Sequence, residues 1–406
     1  MLELLEGYWQ EVQDPKDLLL NLRRKSWDHF LELGWPRPKQ EAFQYLPLQK
    51  IHFPKLAKPK KLDIFQHPLL PGCEGHLVFV DGFFDETLSK VPSSLICLPL
   101  DAAMRSYGLF IQNRIARTLK EEKDPFAALN RAMQGRGAFL YAPPKYAGVK
   151  PIQILQISTS EEMAMPRLEI VVGKGAKLEL VQTAWFQGKS NSICNSAADA
   201  VLEEGAELSF CDAQLLPKTA IQFQSFRATL KRDSRLTMRS FTHGAAMVRH
   251  SLKVQLAEEN AEALLQGLSR LDHEAQGHVH AIVEHLAPHT RSRQHFKSVL
   301  KGKSRYSFEG KILVRPIAQK TEAYQLNNNL VLSDEASANA KPNLEIFADD
   351  VKASHGATIG QLDPEQMFYL RSRGLELEEA TQLLVDGFCK ELIEQAPACL
   401  KEVLYA

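Results

Sequence analysis

Four places in the chain combine residue types that could do chemistry. Near the carboxyl end, Phe347-Ala-Asp-Asp-Val-Lys-Ala-Ser-His-Gly-Ala-Thr-Ile-Gly360 carries one histidine, His355, and two adjacent carboxylates, Asp349 and Asp350, with no cysteine. Two carboxylates suit glycoside hydrolysis when both converge on one bond. Neighbours on a strand point to opposite faces, so this pair reads as a polar bend. By the same alternation Val351, Ala353, His355, Ala357 and Ile359 share one face, and Lys352, Ser354, Gly356, Thr358 and Gly360 the other. His355 is then the one polar side chain in an apolar stripe. Two readings stand: a buried imidazole satisfied by a backbone carbonyl, or an imidazole placed in an interface to ligate a soft or borderline metal.

Gly277-His-Val-His-Ala-Ile-Val-Glu-His-Leu-Ala-Pro-His289 is the richest histidine run. His278 and His280 fall on one strand face and, with His285 or His289 returning from a turn, supply donors suited to zinc or iron. Glu284 shares that face, but no spacing folds it toward a common centre, and solvent-facing histidines are the plainer reading. Two Gly-Lys-Ser stretches, Gln187-Gly-Lys-Ser190 and Lys301-Gly-Lys-Ser304, imitate a phosphate loop. The glycine required five positions upstream is Thr183 in one and Lys297 in the other. Neither lies between a strand and a helix that would aim amides and a helix dipole at phosphate. Both read as turns, and no intrinsic ATPase is expected.

The chain that must position these residues is 406 residues long, a length suited to about two to three domains. It is 44% hydrophobic and 24% charged, enough for a sizeable core. Its 49 basic and 49 acidic side chains balance, which argues against a protein built to coat nucleic acid or anionic membrane. No apolar run approaches the roughly 18 residues that span a bilayer, and the acidic start Met1-Leu-Glu-Leu-Leu-Glu-Gly7 lacks the marks of a signal peptide. Cys73, Cys97, Cys194, Cys211, Cys389 and Cys399 are scattered, with no C-x-x-C pair. They read as reduced thiols of a cytoplasmic protein, without a four-cysteine metal site.

Helical spacing governs both ends of the chain. Leu19, Leu22, Trp27 and Phe30 predict a helix that stops at Gly34 and Pro36, followed by a basic, proline-punctuated linker over Lys50–Lys61. Asp124 and Pro125 open a short helix as N-cap and first residue. From about residue 150 short β-rich runs recur without helices between them. Val171-Val-Gly-Lys-Gly-Ala-Lys-Leu-Glu-Leu180 and Val201-Leu-Glu-Glu-Gly-Ala-Glu-Leu-Ser-Phe210 share a strand, Gly-Ala turn, strand phrase, and Asn260-Ala-Glu-Ala-Leu-Leu265 looks like a worn third copy. Restarting strands of this kind suit a parallel β-helix, with a sandwich as the other arrangement. The last 44 residues return to helix, one opening at Asp363-Pro-Glu-Gln366 and halting at Gly374, the next running from about Glu378 to Gln395. The expected division is a helical and mixed unit over 1–146, a β-helix core over 147–362 and a helical unit over 363–406.

Pro342-Asn-Leu-Glu-Ile-Phe-Ala-Asp-Asp-Val-Lys-Ala-Ser-His-Gly-Ala-Thr-Ile-Gly360, followed by Phe368-Tyr-Leu-Arg-Ser-Arg-Gly374, closely resembles the carboxyl-terminal signature of the SufB/SufD family, and of its SufD-like branch in particular. Gly34-Trp-Pro36, Glu41-Ala-Phe-Gln-Tyr45, Asp124-Pro-Phe-Ala-Ala-Leu-Asn130, Phe308-Glu-Gly310 and Ala318-Gln-Lys-Thr-Glu-Ala323 agree with it. The resemblance implies a mainly β fold: a right-handed parallel β-helix between helical end domains. It implies a non-catalytic scaffold for iron–sulfur cluster assembly that pairs with a SufB-like paralogue, holds a SufC-like ABC ATPase, and receives sulfur indirectly from a cysteine desulfurase. The cluster would be transient and shared with the partner, none being bound permanently by the chain alone.

The same resemblance gives His355 a role at the subunit interface, as a cluster ligand or assembly residue. The expected interface comprises Val351, Ala353, His355 and Ala357 on the strand, with Phe368, Tyr369, Arg371, Arg373, Leu384 and Phe388 on the helices. Ala353 stands where such proteins often carry cysteine. A homodimer is a further possibility, and neither nucleic acid nor membrane is an expected partner. Competing readings are a SufB-type paralogue, a polysaccharide-acting enzyme around Asp349 and Asp350, and a metal module at His278 and His280.

Overall fold

The computed structural model describes residues 1–38, 40–59, 69–186 and 192–405. Extended backbone dominates and winds into a parallel β-solenoid of about eight turns, each turn laying one strand in each of two sheets. One sheet runs from Phe83–Lys90 and Gly75–Val80 to Val351–Gly360; the other runs from Ile96–Pro99 and Ala138–Ala142 to Ser337–Ile346. The β-helix expectation is met, and the sandwich is excluded by parallel pairing between successive turns. Gly75–Val80 and Ala138–Ala142, both before residue 147, already pair in parallel with Ile152–Ser158 and Arg167–Val172.

The turns stay in step because one corner recurs. Gly175, Gly205, Asp233, Asn260, His289 and Lys320 all take positive φ, between 57° and 66°. Each is followed by a small side chain that is fully buried: Ala176, Ala206, Ser234, Ala261, Thr290 and Thr321. The amide of the corner residue donates to a carbonyl of the next turn, as Gly205 does to Arg232 at 2.9 Å and Lys320 to Asp350 at 2.5 Å. Gly-Ala is thus the plainest form of a corner that also accepts Asn, Asp and His, residues that tolerate the left-handed region. The worn copy at Asn260-Ala261 belongs to this series. Lys301-Gly-Lys-Ser304 is a turn with Gly302 at φ 62°; Gln187–Ser190 lies outside the described residues.

Helices clothe the outer faces. α1 (Leu2–Glu11) and α2 (Leu20–Leu33) meet through stacked Trp9 and Trp27, 5.5 Å apart, with Phe30 buried beside them. α3 (Leu100–Glu121) and α4 (Pro125–Met133) lie on the sheet that ends at Ser337–Ile346. The Asp124 Oδ1 accepts the Phe126 amide at 3.0 Å as the N-cap, while Oδ2 takes Arg249 at 2.6 Å. Burial pushes the Asp124 carboxyl up, but Arg249 and Arg227 outweigh it and hold the group well below the usual carboxylate range.

α5 (Pro364–Ser372), α6 (Leu377–Glu394) and α7 (Ala398–Tyr405) follow the solenoid. Val385, Cys389, Leu392 and Ile393 of α6 pack against Phe241, Leu268 and Val299 on the outside of the other sheet. Asp363 caps α5 by accepting the Glu365 amide, and Gly374 ends it at φ 96°. The reciprocal capping box is made instead by Glu376 and Glu379 at the start of α6.

Two glycines separate conformational strain from crowding. A Cβ on Gly175 meets nothing within 4 Å, so Gly175→Ala should cost about 1 kcal/mol, the ordinary penalty of the left-handed region. At Gly244, φ 78°, the Cβ would sit 2.1 Å from the Leu216 carbonyl oxygen. Gly244→Ala is expected to lower the urea midpoint clearly more than Gly175→Ala does. Equal midpoints would show that the Leu216 corner yields freely.

Candidate functional site

A parallel solenoid satisfies each strand with the strands of the turns before and after it. At the carboxyl end there is no turn after. Among the described residues, Val351–Gly360 pairs only with Thr321–Val331, and Ser337–Ile346 only with Arg305–Val314. All ten residues of Ile193–Leu202 are buried inside the stack, whereas neither terminal strand buries a single residue. Ile346, Phe347 and Ile359 are exposed there.

His355 sits in the middle of this open end. It stands in register with Gln325, which is buried one turn below, and is itself exposed. The buried-imidazole expectation fails because the strand has no turn stacked over it. Val351 and Ala353, on the same face, are half-buried against a small cluster of Ile312, Val314, Ala318, Ala323 and Ala348. Ala357 is exposed. The apolar stripe therefore begins in the core and runs out onto the open end, with the histidine where it emerges.

Beyond the strand, α5 buries none of its residues, and Phe368 and Tyr369 are 74% and 56% exposed. Arg371 and Arg373 are exposed beside them, the Arg373 guanidinium lying 5.1 Å from the centre of the Tyr369 ring. Leu384 and Phe388 of α6 are half-buried. Phe388 faces the solenoid: Lys297 Nζ lies 5.1 Å from its ring centre and donates to its carbonyl oxygen at 3.0 Å. Exposed aromatic and arginine side chains on α5 are the residue types that anchor protein interfaces.

The other candidates come apart. Asp349 and Asp350 form a bend at the last corner, where the Asp350 carbonyl accepts the Lys320 amide and its own amide donates to Gln319 Oε1 at 2.9 Å. His278 is not solvent-facing, because the segment around Glu41–Leu46 covers its strand. Its Nδ1 shares a 2.7 Å hydrogen bond with Ser307, and His285 is held by Thr290 and Ser292, both at 2.8 Å. Glu284 is taken by Arg315 at 2.9 Å. No group of three or more His, Cys, Asp or Glu among the described residues is disposed to hold a metal ion. Nor is any described helix long and apolar enough to cross a membrane.

One arrangement escaped the sequence reading. Inside the solenoid, Asp212 is fully buried, accepts Gln182 and Gln214 side-chain amides at 3.0 and 2.5 Å, and faces His250 Nδ1 at 3.6 Å. Burial pushes the Asp212 carboxyl up to about 7, against the pull of those two amides, and pushes the His250 imidazole down to about 4. The signal was present as glutamine at core parity in successive strands, a pattern that apolar periodicity passes over.

The chain is thus a long parallel solenoid with one open end, flanked by helices that expose aromatic and basic side chains. Residues 155–388 match the SufBD core domain of the SUF iron–sulfur cluster assembly system, and residues 9–154 match the SufBD N-terminal region. The chain belongs to the SufBD family. It is 39% identical to the iron–sulfur cluster assembly protein SufD of Escherichia coli over 391 residues, covering 90% of this chain and 86% of that one. A SufBD family protein of Synechocystis is 29% identical, with 94% of this chain and 88% of the relative covered. The chloroplastic protein ABCI7 of Arabidopsis thaliana is 28% identical, with 93% and 83% covered.

The buried histidines give a pH test. Burial lowers both His278 and His285 to about 3, whereas an unfolded histidine titrates near 6.5. Between those values the unfolded state binds a proton that the folded state refuses, so stability falls as pH drops below about 6.5. His285→Gln removes one such group. The gap in unfolding free energy between wild type and variant should therefore narrow by about 1.4 kcal/mol per pH unit below that point. Urea midpoints at several pH values measure it, and parallel curves would show His285 to be charged in the fold.

Proposed function

We propose that the chain is a non-catalytic, cytoplasmic scaffold subunit that assembles nascent iron–sulfur clusters together with a SufB-type paralogue and a SufC-type ABC ATPase. The observation that carries this reading is the open end: two edge strands with no buried residue closing a stack whose inner strands, such as Ile193–Leu202, are largely or wholly buried. Unpaired strand edges invite another chain, and a paralogue with the same solenoid offers strands of matching length and spacing. The likeness to SufD of Escherichia coli supports the same assignment.

On this reading the partner covers Val351, Ala353, His355 and Ala357, which turns an exposed imidazole into one enclosed between two chains. A neutral imidazole suits iron, and this strand brings no thiolate, so further ligands come from the partner. The cluster is cargo, built with sulfur that reaches the complex indirectly from a cysteine desulfurase. Phe368, Tyr369 and Arg371 of α5 and Arg373 directly after it, with Leu384 and Phe388 of α6, form the seat of the ATPase. ATP-driven movement of that subunit then reshapes the seam holding His355.

Three experiments follow. The purified chain should not turn over ATP and should co-purify with both partners when the three are co-expressed; turnover by the chain alone, or no association, would sink the proposal. Replacing Phe368 and Tyr369 with alanine should weaken capture of the ATPase about tenfold or more, without loss of the SufB-type partner. His355→Ala, an exposed site, should leave melting temperature and complex formation unchanged while lowering iron and sulfide in the isolated complex. Normal loading would reduce His355 to a bystander.

A further inference from the structure

Cysteines scattered along the chain do not all stay apart in the fold. Cys73, just ahead of the strand Gly75–Val80, and Cys399, in the first turn of α7, meet side chain to side chain in a thiol–thiol hydrogen bond. Their neighbours agree: Leu70 and Cys399 pack against one apolar cluster with Val181, Cys211 and Leu400, and the Glu179 carboxylate lies near both thiols. Both stretches are pinned. On either side of Cys73, the Leu70 amide donates to Gln153 Oε1 at 2.9 Å and the Glu74 amide to the Pro151 carbonyl at 3.0 Å. Buried Leu400 and Leu404 hold α7, and Arg270 donates to the Leu404 carbonyl at 3.2 Å.

The thiols differ in reactivity. Burial pushes Cys97 and Cys194 up to about 12 and Cys389 up to about 11, and drives Cys211 well above the ordinary thiol value. Cys399 is drawn below that value, chiefly by the hydrogen bond that Cys73 donates, against burial and Glu179. The same bond, with burial, keeps Cys73 protonated as the donor. Cys399 is thus the readier nucleophile, Cys73 stands in contact with it, and both are only half-buried, so a small oxidant reaches them.

We infer that Cys73 and Cys399 are an oxidisable pair that a hydroperoxide closes into a disulfide, fastening α7 to the entry of the solenoid. The Cys399 thiolate attacks a peroxide oxygen: an S–O bond forms, the O–O bond breaks, and the departing hydroxide takes up a proton as water. Formation of the sulfenic acid removes the thiolate that kept Cys73 protonated. The Cys73 sulfur then attacks the Cys399 sulfur, an S–S bond forming as the S–O bond breaks, and the Cys73 proton leaves with the hydroxide as a second water. Two electrons pass from the two sulfurs to one peroxide. The crosslink closes a loop over most of the chain, so it restricts the unfolded state and stabilises the fold. No part of this step depends on the partner reading above.

The test treats the full-length chain with hydrogen peroxide, alkylates the remaining thiols after unfolding, and maps peptides without reductant. The expected product joins the Cys73 peptide to the Cys399 peptide with loss of two hydrogens, while Cys97, Cys194, Cys211 and Cys389 are recovered alkylated. Cys73→Ser should stop at the sulfenic acid of Cys399, trapped by dimedone, and Cys399→Ser should slow oxidation of Cys73 about tenfold or more. Oxidised wild type should show a higher urea midpoint than reduced, a difference reversed by dithiothreitol and absent from both variants. If a serine variant fails to fold, the wild-type peptide map still decides. A different cysteine pairing, oxidation without a bridge, or full recovery of free Cys73 and Cys399 would overturn the pair. A bridge that leaves the urea midpoint unchanged would overturn its fastening role.

Discussion

The physics of the whole molecule follows from one constraint: a strand in a parallel solenoid is satisfied only by the turns directly before and after it. Backbone donors and acceptors point along the stack, and side chains in register bury one another, so interior turns need nothing further. Ends do. At the amino end the chain meets this with its own antiparallel strands, Phe83–Lys90 against Gly75–Val80 and Ile96–Pro99 against Ala138–Ala142. At the carboxyl end it leaves two edges open, side by side. The two ends thus differ: the amino end is closed by the chain's own strands and the carboxyl end is not.

A long stack with open edges also needs its clothing fixed, and buried charge does this on one side. Arg131 and Arg167 converge on Asp199, Arg114 and Arg167 on Glu169, and Arg227 on Glu122, all at the seam between the α3–α4 region and the sheet beneath. Burial opposes ionisation of Asp199, yet Arg167, Arg131 and Arg114 hold its carboxyl well below the usual range. Such pairs contribute little net stability over a packed apolar seam, but losing one partner strands a charge. They therefore fix where the helices sit. Asn130, whose side-chain amide donates to the carbonyls of Pro166 and Asn195, does the same with neutral groups. On the opposite face α6 is held mainly by apolar contact, and α5 by almost nothing.

How much of this was legible follows from the period of each signal. The Gly-Ala corners were readable because glycine is the cheapest residue at positive φ; the same corner built on Asp233, His289 or Lys320 was not, since those residues occur everywhere. Strands such as Arg235–Gly244 and Arg291–Leu300 escaped for a related reason. Their outward positions hold charges and their inward ones include Ser240, Thr242 and Gln294, so no apolar alternation marks them. For His355, alternation grouped it with Val351 and Ala353 but left its environment open between a buried and an interface imidazole, and the structure rules out the first. Parity says which side chains share a face, not whether a turn is stacked above them, and only topology supplies that.

The open end is a liability that the sequence restrains rather than removes. An exposed, flat, apolar pair of edge strands would template its own kind. Here Pro342 interrupts the donor row of one edge, and Lys341 beside it is drawn back to Glu41. His355 interrupts the apolar run of the other, and Lys352 puts a charge on its opposite face. Each costs pairing energy against a random strand, yet none blocks a partner shaped to receive it. Charge on the edge thus acts on pairing in both directions, since opposite charges across neighbouring strands support it and like charges oppose it.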